Sequence, residues 1–203
     1  EAENRDWRFE TALYDDSLNN RGKLLVERLK SGGIEVEEIS PSVMKSLSDT
    51  ESPQGILAIL KFTQSPISSL LNFILIPDQI RDPGNLGTLL RSAAATGVQA
   101  VLIPPETTDA FAPKVLRSGM GAHFKLPIHS MSWDEIDKVV KLESLQVLIA
   151  DMDGQSCWEA DLRQPVALVI GSEAEGASES ARKLAHQKIS IPMSGEMESL
   201  NAG

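Results

Sequence analysis

The sequence predicts an α/β protein: a small α/β unit followed by a larger domain built on a mostly parallel sheet. Three observations carry this. Short apolar runs of strand length alternate with segments of helical period along most of the chain. A polar Ser/Pro stretch, "TQSPISSL" from Thr63, divides the pattern in two. Three loops bearing glycine or proline each follow a strand-like run, where ligands sit in open α/β sheets.

The first unit spans residues 1–66. "TALYDD" is a strand candidate, and "NNRGKLLVERLKSGG" carries Leu24, Leu25 and Leu29 before a glycine pair, so a helix that stops. "IEVEEIS" alternates as a half-buried strand does. "SPSVMKSLSDT" is a short helix opened by Ser40 or Pro41, and "QGILAILKF" is an apolar strand. A unit of this size folds alone only marginally.

The second domain, 67–203, restarts the pattern. "NFILIPD" is a buried strand. "NLGTLLRSAAATG" is a helix ending at Gly97, with Leu86, Leu89, Leu90 and Ala93 as its apolar face. Its start is open between Pro83, capped by Asp82, and Asn85. "VQAVLIPP" is a strand, "APKVLRSGMGA" a helix and "FKLPIHS" strand-like. "SWDEIDKVVKLES" places Ser132 three residues before Glu135, the spacing of a capping box. "LQVLIADM" and "QPVALVIG" are strands, "SESARKLAHQ" a helix and "KISIPM" a final strand. Alternation of this kind argues for parallel strands.

The totals bound the function. The 203 residues are 41% apolar and 24% charged, ordinary for a globular chain able to bury a core. The single cysteine, Cys157, excludes a disulfide framework within the chain and fits reducing, intracellular surroundings. No apolar run reaches membrane-spanning length, so no membrane partner is expected. The opening residues, "EAENRDWRFE", lack signal-peptide features, while a removed organellar targeting segment stays open. A net charge of −10 speaks against nucleic acid gripped over the whole surface, but not against a local basic strip. Candidates for such a strip are Arg81, Arg91, Lys114, Arg117 and Lys125.

Three loops carry candidate chemistry. In "DPGNLGTLLR", Gly84 and Gly87 permit close approach of a ligand or a partner element, and Asn85 is a neutral donor and acceptor. Arg91 lies off the apolar stripe; six residues of helix turn it about 600° from Asn85. Read alone, this is a strand, a turn and a helix with a solvent arginine. In "GSEAEG", Glu173 is a carboxylate at a strand end, able to cap, accept a hydrogen bond or act as a base. The third loop, after "ISIPM", ends in Ser199-Leu200-Asn201. A Walker A lysine and a dinucleotide fingerprint are both missing, which sets a nucleotide-dependent enzyme of another class last. His123, His129 and His186 show no ligand spacing, and no metal is expected.

Together and in order, Asp82-Pro83-Gly84-Asn85-Leu86-Gly87 with Arg91, Gly171-Ser172-Glu173 with Gly176, and Ile191-Pro192-Met193 with Ser199-Leu200-Asn201 resemble the motifs of the SpoU (TrmH-type) branch of the SPOUT RNA methyltransferases. Residues 114–128 resemble the family's intervening segment, and the first unit is similar to the small RNA substrate-binding domain, related to a ribosomal-protein fold, that many members carry. Ser172 stands where many relatives have asparagine. The resemblance implies a deep trefoil knot in the C-terminal domain, a homodimer and S-adenosylmethionine as cofactor. It implies methyl transfer to a ribose 2′-hydroxyl in rRNA or tRNA. It assigns Asn85, Arg91, Glu173, Ser199 and Asn201 to the catalytic site, and Gly171, Ile191, Met193 and Leu200 to the cofactor. Members usually continue past the third motif into a further helix, and the 67–203 domain reads as lacking it. The alternative reading is a non-catalytic RNA-binding or assembly factor that keeps the fold.

Overall fold

The computed structural model describes residues 7–48, 50–67, 70–193 and 201–202. The chain divides into two units, Glu1–Thr63 and Gln64–Gly203.

In the first unit the elements run β1 (Phe9–Tyr14), α1 (Asn20–Ser31), β2 (Val36–Glu38), α2 (Pro41–Leu47) and β3 (Ile56–Leu60). The sheet order is β2-β1-β3. β2 runs parallel to β1, but β3 runs antiparallel, so alternation of strands and helices did not fix every strand direction here. Asn19 caps α1 through the Gly22 N–H, and Ser40, with Pro41 in the first turn, caps α2. Val26, Leu29 and Met44 bury the apolar faces.

The second unit contains β4 (Phe73–Pro77), α3 (Pro83–Thr96), β5 (Ala100–Ile103), α4 (Pro113–Ser118), β6 (Ile128–Ser130), α5 (Trp133–Leu142), β7 (Gln146–Ser156), β8 (Val166–Ile170), α6 (Glu179–Leu184) and β9 (Gln187–Ser190). Its six strands lie in the order β6-β5-β4-β8-β7-β9. Every neighbouring pair is parallel. Successive residues of β4 bury on opposite faces. Ile74 and Ile76 join Ile136, Val140 and Ala181 from the α5 and α6 side. Leu75 joins Leu86, Leu90 and Val115 from the α3 and α4 side. A parallel sheet covered on both faces therefore reads as unbroken apolar runs, "FILIP" and "VALVI" among them.

Element ends follow local chemistry. Asp82 caps α3, with Pro83 at its first position, and Gly97 closes it at φ 81°. The Ser132–Glu135 capping box is present in α5. α4 is shorter than the sequence pattern suggests. Met120 at φ 49° and Gly121 at φ 87° break the helical path, and a 3₁₀ turn, Ala122–Phe124, follows. β7 runs further than its apolar segment, to Ser156, because it keeps pairing with β9 across a shift between Ala150 and Gln155.

Candidate active site at the carboxyl ends of β4 and β8

β4 and β8 are adjacent, but the chain leaves them in opposite directions: from β4 through α3 to β5, from β8 through α6 to β9. Their carboxyl ends therefore mark the switch point of a doubly wound sheet, where ligands are expected to bind. The first two motif loops open from it.

The loop after β4 is set by its helix. The Asp82 carboxylate accepts the Asn85 N–H at 2.9 Å, and this bond holds the carboxyl below the usual carboxylate range. Asn85 is fixed in the first turn of α3, and its Nδ2 donates to Glu173 Oε1 at 2.7 Å. The same Oε1 accepts the backbone N–H of Ala202 at 3.2 Å. One carboxylate oxygen thus joins the first motif, the second, and the chain immediately after Asn201.

The loop after β8 folds on itself. Ser172 and Gly176 exchange backbone hydrogen bonds of 3.0 and 2.9 Å, and Ser172 Oγ accepts from the Ala174 and Glu175 N–H groups. Gly171 packs directly on the Gly176–Ala177 backbone, where a Cβ would overlap the Gly176 carbonyl and the Ala177 nitrogen. Gly176 itself has φ 70°. Arg182 backs the loop through Nε to the Ala177 carbonyl at 3.0 Å.

Arg91 lies in α3, exposed, and among the described residues makes no hydrogen bond or ion pair. It makes no hydrogen bond or ion pair with Asn85 or Glu173. Ile191 and Met193 follow β9 and expose 59% and 37% of their surface. Asn201 is described and exposed, whereas Ser199 and Leu200 lie outside the described residues.

Gly87 serves packing between helices. A Cβ there would stand 2.7 Å from Ser118 Cβ and 2.8 Å from Gly119 N, so its openness admits α4. Of the proposed basic strip, Arg81 faces Glu175 and Lys114 faces Asp82, each at 3.7 Å and each exposed. The histidines have structural partners. His123 is buried with Nε2 2.7 Å from the Ala110 carbonyl, His129 contacts Gln64 and the Ser65 carbonyl, and His186 accepts the Val147 N–H. A groove of about 900 Å³ opens between α5 and α6, but none of its lining residues belongs to the two loops.

Sequence reading missed Asp78, a fully buried carboxylate at the end of β4. It also missed Arg182. An acid directly after an apolar strand was a visible signal for the first; nothing local marks the second.

Comparison with known proteins shows the family. Residues 1–66 match the RNA 2′-O ribose methyltransferase substrate-binding family. An uncharacterised tRNA/rRNA methyltransferase of Synechocystis sp. is 32% identical over 95% of this chain and 72% of its own length. A 23S rRNA guanosine 2′-O-methyltransferase of Xylella fastidiosa is 31% identical over 95% of this chain and 82% of its own. The crystal structure of the SpoU methyltransferase AviRb of Streptomyces viridochromogenes, in complex with AdoMet, superposes with a TM-score of 0.86 at 28% identity, covering 99% of this chain and 80% of that one. Residues 72–203 match the SpoU rRNA methylase family across all three motif loops, and the chain belongs to that family.

Proposed function

We propose that this protein transfers a methyl group from S-adenosylmethionine to a ribose 2′-hydroxyl of rRNA or tRNA. The carrying observation is the convergence on Glu173 Oε1, which ties Asn85 to the backbone of Ala202. Three segments far apart in sequence meet at one exposed carboxylate at the switch point.

The donor set fits the cofactor. The folded-back loop at Gly171 offers backbone groups, and Ile191 and Met193 offer exposed apolar surface, which together suit an adenosine. Gly171, Ile191, Met193 and Leu200 would hold it. When bound, S-adenosylmethionine supplies an electrophilic methyl carbon on a sulfonium.

The remaining work falls to the chain's own side chains. A ribose hydroxyl is a weak nucleophile and needs its oxygen polarised and aligned. Arg91, exposed and without a hydrogen bond or ion pair among the described residues, takes the phosphate–ribose of the RNA in this reading and stabilises negative charge developing on the oxygen. A guanidinium is a poor base, so its role is binding and charge stabilisation. Asn85, Ser199 and Asn201 orient the ribose, and Glu173 holds the motif loops together.

The RNA is also met by residues 1–66, which match the substrate-binding family. The knot belongs to the same reading. β9 is an edge strand, yet Ala202 packs with the core on the α3 side. Homodimerisation is supported by exposed apolar side chains Met152, Trp158 and Leu162. The substrate places the protein in a ribosome-containing compartment, the cytoplasm or an organelle.

Calorimetry with S-adenosylmethionine, followed by mapping of 2′-O-methyl groups on RNA treated with the protein, tests the reading. Absence of cofactor binding would favour the RNA-binding or assembly role instead. Arg91→Ala is expected to slow methylation by about a hundredfold with cofactor affinity kept. Arg91→Lys is expected to remain well below wild type, since lysine lacks the planar fork. A wild-type rate for the lysine variant would remove the positioning role.

A further inference from the structure

We propose that Asp78 is a positioning residue for this site: it clasps both ends of the 171–177 loop and thereby sets where Glu173 meets Asn85. The inference rests on the function proposed above.

Asp78 follows β4 directly and is fully buried. Its backbone N–H donates to the carbonyl of Ile170, the last residue of β8, at 2.8 Å. Its Oδ2 accepts the N–H of Ser178, the residue capping α6, at 2.6 Å. Residues 170 and 178 are the two ends of the loop that carries Glu173, and both are fastened to one amino acid. That amino acid lies in the short segment leading to Asp82 and Asn85. Hydrogen bonds therefore join the loops at the base through Asp78 and at the mouth through Asn85 and Glu173.

A helix cap alone does not explain the carboxylate. α6 has its own cap, Ser178 Oγ accepting from Ala181 N at 3.2 Å. Asp78 Oδ1 has no hydrogen-bond partner among the described residues. Burial raises the Asp78 carboxyl above its ordinary value, and the Ser178 bonds oppose that rise. An acid held in this way is costly, and one acceptor bond to a distant loop is what the fold gains from it. Gln79 beside it and Glu106 across from it both adopt positive φ, 55° and 68°, and are linked by a 2.9 Å hydrogen bond. The turn that presents Asp78 is thus held in a conformation it would not take freely.

The test compares wild type, Asp78→Asn and Asp78→Ala by hydrogen exchange, calorimetry with S-adenosylmethionine and steady-state methylation. Asparagine keeps an acceptor oxygen for Ser178; alanine does not. In wild type the Ser178 amide should be protected. The alanine variant is expected to lose that protection, bind the cofactor about tenfold more weakly and fall up to about a hundredfold in kcat, with the KM for RNA unchanged. The asparagine variant should recover most of each loss. A wild-type Ser178 amide exchanging at the unprotected rate would overturn the proposal, even where the alanine variant does not fold. So would an alanine variant with wild-type cofactor affinity, or an asparagine variant as impaired as alanine. Wild-type protein that binds no S-adenosylmethionine would instead overturn the function proposed above.

Discussion

The two loops at the mouth of the sheet are built by different means. The loop after β4 is set mainly where it enters its own helix: Asp82 accepts the Asn85 N–H, with Pro83 at the first helical position between them, and Gln79 adds one bond to Glu106. The loop after β8 is fixed by contacts that close it on itself and tie it to distant residues: Ser172 to Gly176, Arg182 to Ala177, Asp78 to Ser178. The first should tolerate single changes in small steps. The second is close-packed backbone on backbone, and one added carbon should undo it.

Gly171→Ala is expected to have the largest effect. The new Cβ would press on backbone atoms of Gly176 and Ala177, which cannot rotate aside. Overpacking against backbone falls at the upper end of the usual range, about 3 kcal/mol, measurable by denaturant unfolding. Cofactor binding should vanish with it. A folded variant that binds S-adenosylmethionine normally would show that the loop is looser than its packing implies.

Gly87→Ala probes the first region and comes next. Contact with Ser118 and Gly119 should cost about 2 kcal/mol, offset by up to about 1 kcal/mol from better helix propensity. A modest net loss of stability with cofactor affinity retained is expected. Loss of cofactor binding instead would place Gly87 at the ligand.

How much of this was legible follows the same division. The caps at Ser40, Asp82 and Ser132, and the stop at Gly97, are written in a few adjacent residues and could be read from them. The antiparallel β3, the extension of β7 along β9 and the break after Ser118 depend on partners elsewhere in the chain. The site divides likewise. Asn85 and Glu173 were singled out through motif order, but their bond joins residues 88 positions apart, and no local pattern encodes it. Asp78 looked like the polar end of a strand; only the fold brings Ser178 to it.

Asp82 gives a pH test of the locally built loop. The Asn85 N–H lowers its carboxyl in the folded state. The unfolded chain therefore binds the proton first as pH falls, and this contribution, full above the unfolded pKa, is lost as pH drops through the folded one. Asp82→Asn keeps a capping oxygen without a titrating group. Its acid unfolding curve should be shallower than wild type, with stability near neutrality only slightly reduced. Identical acid limbs would mean that the Asp82 charge adds nothing to stability beyond the capping oxygen.

The smallest effect should come from the one ion pair that spans both loops. Arg81 Nη2 lies 3.7 Å from Glu175 Oε2, with side chains 67% and 62% exposed. At that exposure, water and salt screen the attraction, and holding two long side chains costs entropy. A double-mutant cycle on Arg81→Ala and Glu175→Ala should give a coupling below about 0.5 kcal/mol, falling further in salt. The Asn85–Glu173 bond joins the same two loops at 2.7 Å, and the corresponding cycle there should couple more strongly because one amide donor is already fixed by the α3 turn. If the surface pair proved the stronger, the loops would be held by general charge attraction rather than by the hydrogen bond at the site.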